Sequence, residues 1–506
     1  MKKYLYILAG ATIFILNACT KDLEQTPVSS VVTSNFYTNA NDFTQAVTGV
    51  YSGLTNYPDQ LLWMGELRSD NIVATSDGNR DWQGINDFSP DLSTTAFIVS
   101  AWDDNFNSIY NANVVLQALD EKGDNIGDDS LKTRFTAEVR FLRAFYYFQL
   151  LRLYGQLPII DKVYSSTEVT TIGRSSVSDV YDFIIADLEY AIDNLPSSYT
   201  GANIGRATQW AAKGLLGLVY LTKSGPTYDI NGPGLNSGEY DEALAQFNDI
   251  INNGPFSFLS DFPSIFSYTN ENNAEVIFDV QFMTTSNGAD YPSQLVPSSY
   301  WTGLGLTAYG NGYGSATYNI SDNLLESYTN SAGDYTDTRD TFSIQHSYAT
   351  SSTTTTTTDP FIKKYIDLSN IGTDRADWPI NFIVMRYTDV LMMKAECILN
   401  GASGTQAEVN SIVAQVRERA GIPALTSDVT LSDLMEERRR EFLGEGLRWN
   451  DLIREGMAVS TMNAWRTSDD LTSSIDEVVA NYLIYPVPQA ELSAAPGLYT
   501  QNPGYN

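Results

Sequence analysis

Carboxylates are the first candidates for chemistry, because 61 Asp and Glu stand among 506 residues against 30 Lys and Arg. Two suitably spaced acids can hydrolyse a glycosidic bond, one as general acid and the other as nucleophile or base. With so many acids some pair always falls at a workable spacing, so abundance is no evidence for a glycosidase. The densest charged block holds Glu437, Arg438, Arg440 and Glu441, with Glu445 and Arg448 just beyond. On a helix, Glu and Arg at these spacings meet along one face, and ion-pair networks perturb titration without catalysing anything. Structural pairing is the reading for this block. His346, the single histidine, excludes a His-rich zinc site and leaves one residue for Ser-His or Cys-His chemistry. No nucleophile motif stands near it. Asp77, Asn79 and Asp81 alternate like a calcium loop, but Trp82 occupies the place of the required Gly and no Glu stands at the twelfth position, so an EF-hand fails. No catalytic residue, cofactor or metal site is expected.

One of the two cysteines has a chemical context. Lys2 and Lys3 precede an uncharged apolar run from Tyr4 to Leu16, closed by Leu16-Asn17-Ala18-Cys19. That order describes a secretory signal, and the run is shorter than the roughly 20 apolar residues a membrane-spanning helix needs. A Cys directly after the small residue resembles a bacterial lipobox, in which the thiol is acylated and becomes the new N-terminus. The expectation is a signal peptide over 1–18 and lipidation at Cys19. The alternative is a plain signal peptide with a coincidental Cys. Lys21-Asp22 and then Glu24 resemble a signal that sends a lipoprotein to the outer face. Without residues 1–18 the chain loses two Lys and no acid, so it becomes more acidic than its formal −31. Such an excess argues against nucleic acid and against an anionic membrane surface as partners, which leaves acyl chains to hold the protein to its membrane. Cys397 lies on an apolar helix and reads as a small buried hydrophobe.

The elements that must position any site are mostly helical. After an extended tether, helical periodicity begins at Asn41, a plausible N-cap, with Phe43, Val47, Val50 and Leu54 on one face. A loop-rich stretch is expected over about 58–100, then helices over 102–119 and 131–154, the latter apolar on most of its circumference. Helices at 179–195, 211–221 and 240–251 follow. Gly217, Tyr220, Ala243 and Phe247 stand where a tetratricopeptide hairpin wants small and aromatic residues, although an insertion breaks the strict period. A second pair is expected at 389–400 and 406–420. An irregular helical bundle is the alternative. Trp102, Trp210 and Trp449 fall within helical segments and read as core. Between the helical parts, residues 255–383 are rich in Gly, Ser, Thr, Tyr and Asn, with one strand-like alternation at Glu275–Phe282. The expected fold is mostly α: tetratricopeptide-type helix pairs form a scaffold (about 41–254 and 384–506), with a long loop-rich insertion (about 255–383) containing a few short strands. The tether covers 19–40, and 41–506 form a single domain.

Several ordered blocks resemble the SusD/RagB family of nutrient-binding outer-membrane lipoproteins. They are Ala137–Phe148 with Arg152-Leu-Tyr-Gly155; Met385-Arg-Tyr with Leu391–Glu396; Val416–Gly421; Glu437–Phe442 with Glu445-Gly446, Arg448-Trp449 and Asp451–Arg454; and the tail Tyr485–Pro488 with Gln501–Tyr505. The resemblance runs from the lipobox to the end of the chain. It implies a non-catalytic protein, lipid-anchored at the outer membrane and facing the exterior. Such a protein captures an oligosaccharide and delivers it to a SusC-type TonB-dependent transporter. Peptide uptake of the RagB kind, or a helical-repeat adaptor binding only protein, are the alternatives.

A sugar offers an apolar face and an edge of hydroxyls, so its site wants an exposed flat ring beside planar donors and acceptors. Two loop regions carry them, and the resemblance points to the same two parts of the chain. The first runs from Arg68, Asp70 and Asn71 to Asp77, Asn79, Arg80, Asp81 and Trp82. The second holds Tyr291, Tyr300, Trp301, Tyr309 and Tyr313. Trp82 and Trp301 are expected as stacking platforms, Asp70 and Arg80 as edge contacts, and Tyr300 and Tyr309 as further ligand contacts. The alternative is that these rings pack inward beneath their loops.

Overall fold

The structure, a computed structural model, describes residues 36–74, 81–309, 318–329, 335–351, 356–469 and 475–506. The signal segment, Cys19, Asp77, Asn79, Arg80 and Tyr313 lie outside them. The fold is mostly helical, as expected. Helix α1 (Ala40–Tyr51) starts slightly early: Asn39, not Asn41, is its N-cap, and its side-chain oxygen accepts from the backbone N–H of Asn41 and Asp42 at 2.9 and 3.2 Å.

Helices α2 (Ala96–Lys122), α3 (Asp129–Tyr154), α4 (Val177–Asn194), α5 (Gln209–Ser224) and α6 (Tyr240–Asn253) each pack against the one before. Helix α7 (Tyr387–Leu399) returns to α6 after the insertion, and α8 (Gln406–Arg419) packs on α7. At the α5/α6 contact a Cβ on Gly217 would lie 2.5 Å from the Phe247 ring, so the small residue sets the spacing of the pair. Helix α3 is the axis of the main core. Every residue from Phe141 to Tyr154 is buried, and two of its tyrosines fix its neighbours. The Tyr146 hydroxyl donates to Val50 O at 2.7 Å, and the Tyr154 hydroxyl to Ile98 O at 2.6 Å.

The segment after α1 departs from the expected loop. It stays helical through Ser52–Asn56 (3₁₀), Tyr57–Leu61 (α) and Leu62–Glu66 (a π turn). Pro58 falls in the first turn, where its missing N–H costs nothing. Leu61, Leu62, Trp63 and Met64 are all buried, and that burial holds in place a segment whose polar flanks had suggested a loop.

The insertion is pinned at its neck. Strand β2 (Val276–Val280) pairs antiparallel with β8 (Phe382–Arg386), matching Val276 with Arg386 and Val280 with Phe382, and β8 runs straight into α7. Strand β1 (Ile72–Ala74) pairs with β3 (Tyr318–Ile320), joining the N-terminal part to the insertion.

The charged block is structural, but most of its pairs leave their own helix. In helix α9 (Leu431–Glu441), Arg440 pairs back to Glu437 at 2.7 Å. Glu441 instead accepts from Arg419 and Arg386 at 2.5 and 2.8 Å, Glu437 is ion-paired with Arg339 at 2.6 Å, and Arg438 donates to Asp389 and Asp451 at 2.8 and 2.9 Å. The partners sit on α8, β8, α7 and the insertion, so the network ties the insertion to the C-terminal helices. Trp102, Trp210, Trp449 and Cys397 are all buried.

Candidate functional site

The two regions singled out by sequence, 68–82 and 291–313, lie beside a cleft, but of its lining residues only Gln294 falls within either. One wall is the helical run after α1, which contributes Asn56, Asp59, Gln60 and Trp63. The first turns of α2 add Phe97, Ser100 and Asp104, and the insertion closes the cleft with Asp290 and Gln294 beside the short helix Tyr291–Gln294. The cleft holds about 260 Å³.

Its apolar surface is aromatic. The Trp63 and Phe97 rings stack with centroids 4.8 Å apart and planes 24° apart. Trp63 also lies parallel to Trp82, at 5.8 Å and 11°. Trp63 is buried and Phe97 half-buried, so Phe97 offers more of the accessible ring. Around the rings stand acceptors. Gln60 receives Asn105 Nδ2 on its Oε1 at 2.9 Å, and Asp290 receives Gln294 Nε2 at 3.1 Å.

Three carboxyls, on Asp59, Asp104 and Asp290, converge with no Lys or Arg among the lining residues. Burial pushes Asp59 well above the usual carboxylate range, and the adjacent Asp290 carboxyl pushes it further. Asp59 Oδ1 is buried without a donor. Two ionised carboxylates repel, so the raised Asp59 holds its proton to higher pH than a free carboxyl does. Burial, and then Asp103, raise Asp104 as well. What the cleft can do is accept hydroxyl protons beside a flat ring. Among the described residues no group of three or more His, Cys, Asp or Glu is placed to hold a metal ion.

The expected ligand contacts fall elsewhere. Asp70 is 1% exposed and accepts from Arg448 Nε and Nη2 at 2.8 and 2.9 Å, with Arg439 3.2 Å away. Burial raises its pKa, but Arg439 and Arg448 outweigh burial and hold it at about 2. It is an internal counter-ion, not an edge contact. Trp301 is 1% exposed among Tyr300, Tyr309 and Trp378, with centroids 5.2, 5.2 and 5.9 Å away. Trp82 and Tyr309 are 4% and 5% exposed, and the Tyr309 hydroxyl donates to Gly372 O at 2.5 Å. None of these rings presents a platform to solvent. The reason is that the insertion's aromatics join the same buried cluster as α3 and its neighbours, while Trp82 packs on Trp63. Tyr300 is half-buried, its ring edge-on to Tyr348 and Phe361. Arg80 lies outside the described residues. Of the residues that sequence reasoning missed, Asp59, Trp63 and Phe97 fall in the stretch that read as loop, and Asp104 falls in the helix expected over 102–119 and read as scaffold. The apolar run Leu61–Met64 was the signal that could have found Trp63.

Two family profiles match the chain. The one described as "SusD family" matches residues 329–505, and the one described as "Starch-binding associating with outer membrane" matches residues 23–221. A SusD-like protein of Bacteroides ovatus is 28% identical over 478 residues, covering 90% of this chain and 82% of that protein. Among solved structures, a laminarin-binding SusD-like protein superposes with a TM-score of 0.75 at 25% identity, covering 93% of this chain and all of that one. Surface glycan-binding protein A of Bacteroides thetaiotaomicron, solved with laminarihexaose, has the same fold, with a TM-score of 0.73 at 23% identity over 92% of this chain and all of that one.

Proposed function

The chain belongs to the SusD/RagB family, and on that footing we propose that it is a cell-surface lipoprotein that captures oligosaccharide without catalysis. It passes the sugar to a SusC-type TonB-dependent transporter in the outer membrane. The observation that carries the binding reading is the cleft of Trp63 and Phe97: stacked rings bordered by carboxyl and amide acceptors. The relative that binds laminarin supports a glycan as the cargo.

Acylation at Cys19, after removal of residues 1–18, anchors the protein, and residues 19–40 tether a single domain of 41–506. The sequence order that supports this is the basic start, the apolar run and the small residue before Cys19. Trp82 serves the site from behind, its ring parallel to Trp63 and holding that plane in place. Asp70 acts as a structural anchor for the C-terminal helices. Tyr300 and Arg80 are retained as ligand contacts.

Isothermal titration calorimetry of the mature protein against a panel of oligosaccharides tests the binding reading. Binding without product formation is the expected result, and released sugar or no binding across the panel overturns it. Mass spectrometry of the native N-terminus tests the anchor, and an unmodified thiol at Cys19 would remove it. A mild-detergent pull-down from native membranes that brings down no outer-membrane barrel would remove the transporter partnership.

A further inference from the structure

We infer that the ligand path does not end at the Trp63–Phe97 cleft but continues into a second cleft beside it, so that the site takes a linear, uncharged oligosaccharide rather than a single sugar. This rests on the glycan-binding reading above and extends it to the length and charge of the ligand.

The second cleft holds about 400 Å³. Its walls continue those of the first. On the N-terminal side the lining passes from Thr48, Ser52 and Thr55 directly to Asn56 and Asp59. On the insertion side it passes from Gln281 and Asn287 to Asp290 and Gln294. Thr48, Ser52, Thr55 and Asp59 recur three and four residues apart, so the lining of the two clefts follows one face of the helical run. From Thr48 to Trp63 that run covers roughly 20 Å at the usual helical rise, a length that several linked sugar rings fill and one or two do not.

The chemistry of the second cleft also suits a neutral chain. Thr48, Ser52 and Thr55 donate their hydroxyl protons to Thr44 O, Gly49 O and Ser52 O at 2.8, 2.7 and 2.8 Å. Their oxygens keep lone pairs that can accept from ligand hydroxyls. Arg206 brings the one guanidinium, and it is already committed. It is paired to Glu138 at 2.8 Å, donates to Thr48 Oγ1 at 3.0 Å, and lies 5.4 Å from the Tyr51 ring centroid. With Arg206 neutralised here and three acids in the first cleft, neither half favours a uronate or a sulfated sugar. The strap 201–206 roofs this end. Gly205 at φ +88° lets it close on the insertion, since a Cβ there would lie 2.5 Å from Gln281 Cγ.

The test uses the mature protein and matched pairs of disaccharide and hexasaccharide from the laminari-, cello-, malto- and xylo-series, with an oligouronate as the charged control. Ser52→Trp and Asn287→Trp block the second cleft from opposite walls; both positions are exposed, and circular dichroism checks that each variant is folded. Wild-type protein is expected to bind one hexasaccharide about tenfold or more tighter than its disaccharide. Each Trp variant should erase that difference while leaving disaccharide binding unchanged. An equal affinity for both lengths, a length preference that survives both variants, or tighter binding of the oligouronate overturns the inference while glycan binding stands. No binding of any member overturns the glycan reading itself, and the extension falls with it.

Discussion

The carboxylate of Asp70 grips the guanidinium of Arg448 through two hydrogen bonds, at 2.8 and 2.9 Å, although 378 residues separate them. The pair is buried and joins the segment after the N-terminal helical run to helix α10 (Arg448–Arg454).

Removing one partner of a buried pair leaves an uncompensated charge and costs ~3–5 kcal/mol. Asp70→Asn is therefore expected to lower the urea midpoint strongly at pH 7. Folding depresses the Asp70 pKa to about 2, so its stabilising effect is present above the ordinary carboxylate range and is lost as pH falls toward 2. The gap between wild type and variant should narrow between about pH 4 and pH 2. A gap that stays constant across that range would contradict the assignment.

Trp301→Ala is expected to act on stability and not on the ligand. Its ring is enclosed by Tyr300, Tyr309 and Trp378, and truncating a buried aromatic costs ~3–5 kcal/mol. Thermal unfolding should show the loss, while calorimetry on the folded protein should give an unchanged dissociation constant for oligosaccharide.

Phe97→Ala and Asp104→Ala should show the reverse pattern. Phe97 contributes an accessible ring and Asp104 an acceptor at the cleft. Each substitution is expected to weaken glycan binding about tenfold, ~1.4 kcal/mol. Asp104→Ala should barely move the melting temperature, because Asp104 lacks a cation partner among the cleft's lining residues. Wild-type affinity in both variants would remove these residues from the site.

Asp59→Asn provides a pH-dependent contrast. Folding raises the Asp59 pKa through burial and then through Asp290. An acid raised on folding contributes stability at low pH and loses it as pH rises through the folded value. Asn supplies a permanent N–H toward Asp290 with no charge to repel it. The variant's melting temperature should exceed that of wild type by a margin that grows from pH 5 to pH 8. A margin that shrinks over that interval would show that folding does not raise Asp59.

Much of the scaffold was legible because helical periodicity is local. The apolar faces of α1 and α3 and the Gly217–Phe247 contact of the α5/α6 pair can be read within tens of residues. The site was legible only at the level of segments. Trp301 and Tyr309, set among Gly, Ser and Tyr, look exposed in sequence, and their burial depends on Trp378 and Gly372, which only folding brings near. Asp70 looks like a polar loop residue because Arg448 stands far along the chain. Trp63 was overlooked for the opposite reason: Pro58, Asp59 and Gly65 around it read as loop, yet Leu61–Met64 bury enough surface to keep the backbone helical.

The clasp of β2 on β8 closes the stretch between Val280 and Phe382 at its base. Once such a base is fixed, each doubling of the enclosed chain adds only ~0.6 kcal/mol of closure entropy. Changes of length in this excursion therefore cost little entropy. Its Arg339, however, pairs with Glu437 and Glu441, and its Trp301 and Trp378 sit in the same buried cluster as α3, so those anchoring positions must be kept whatever the tip becomes.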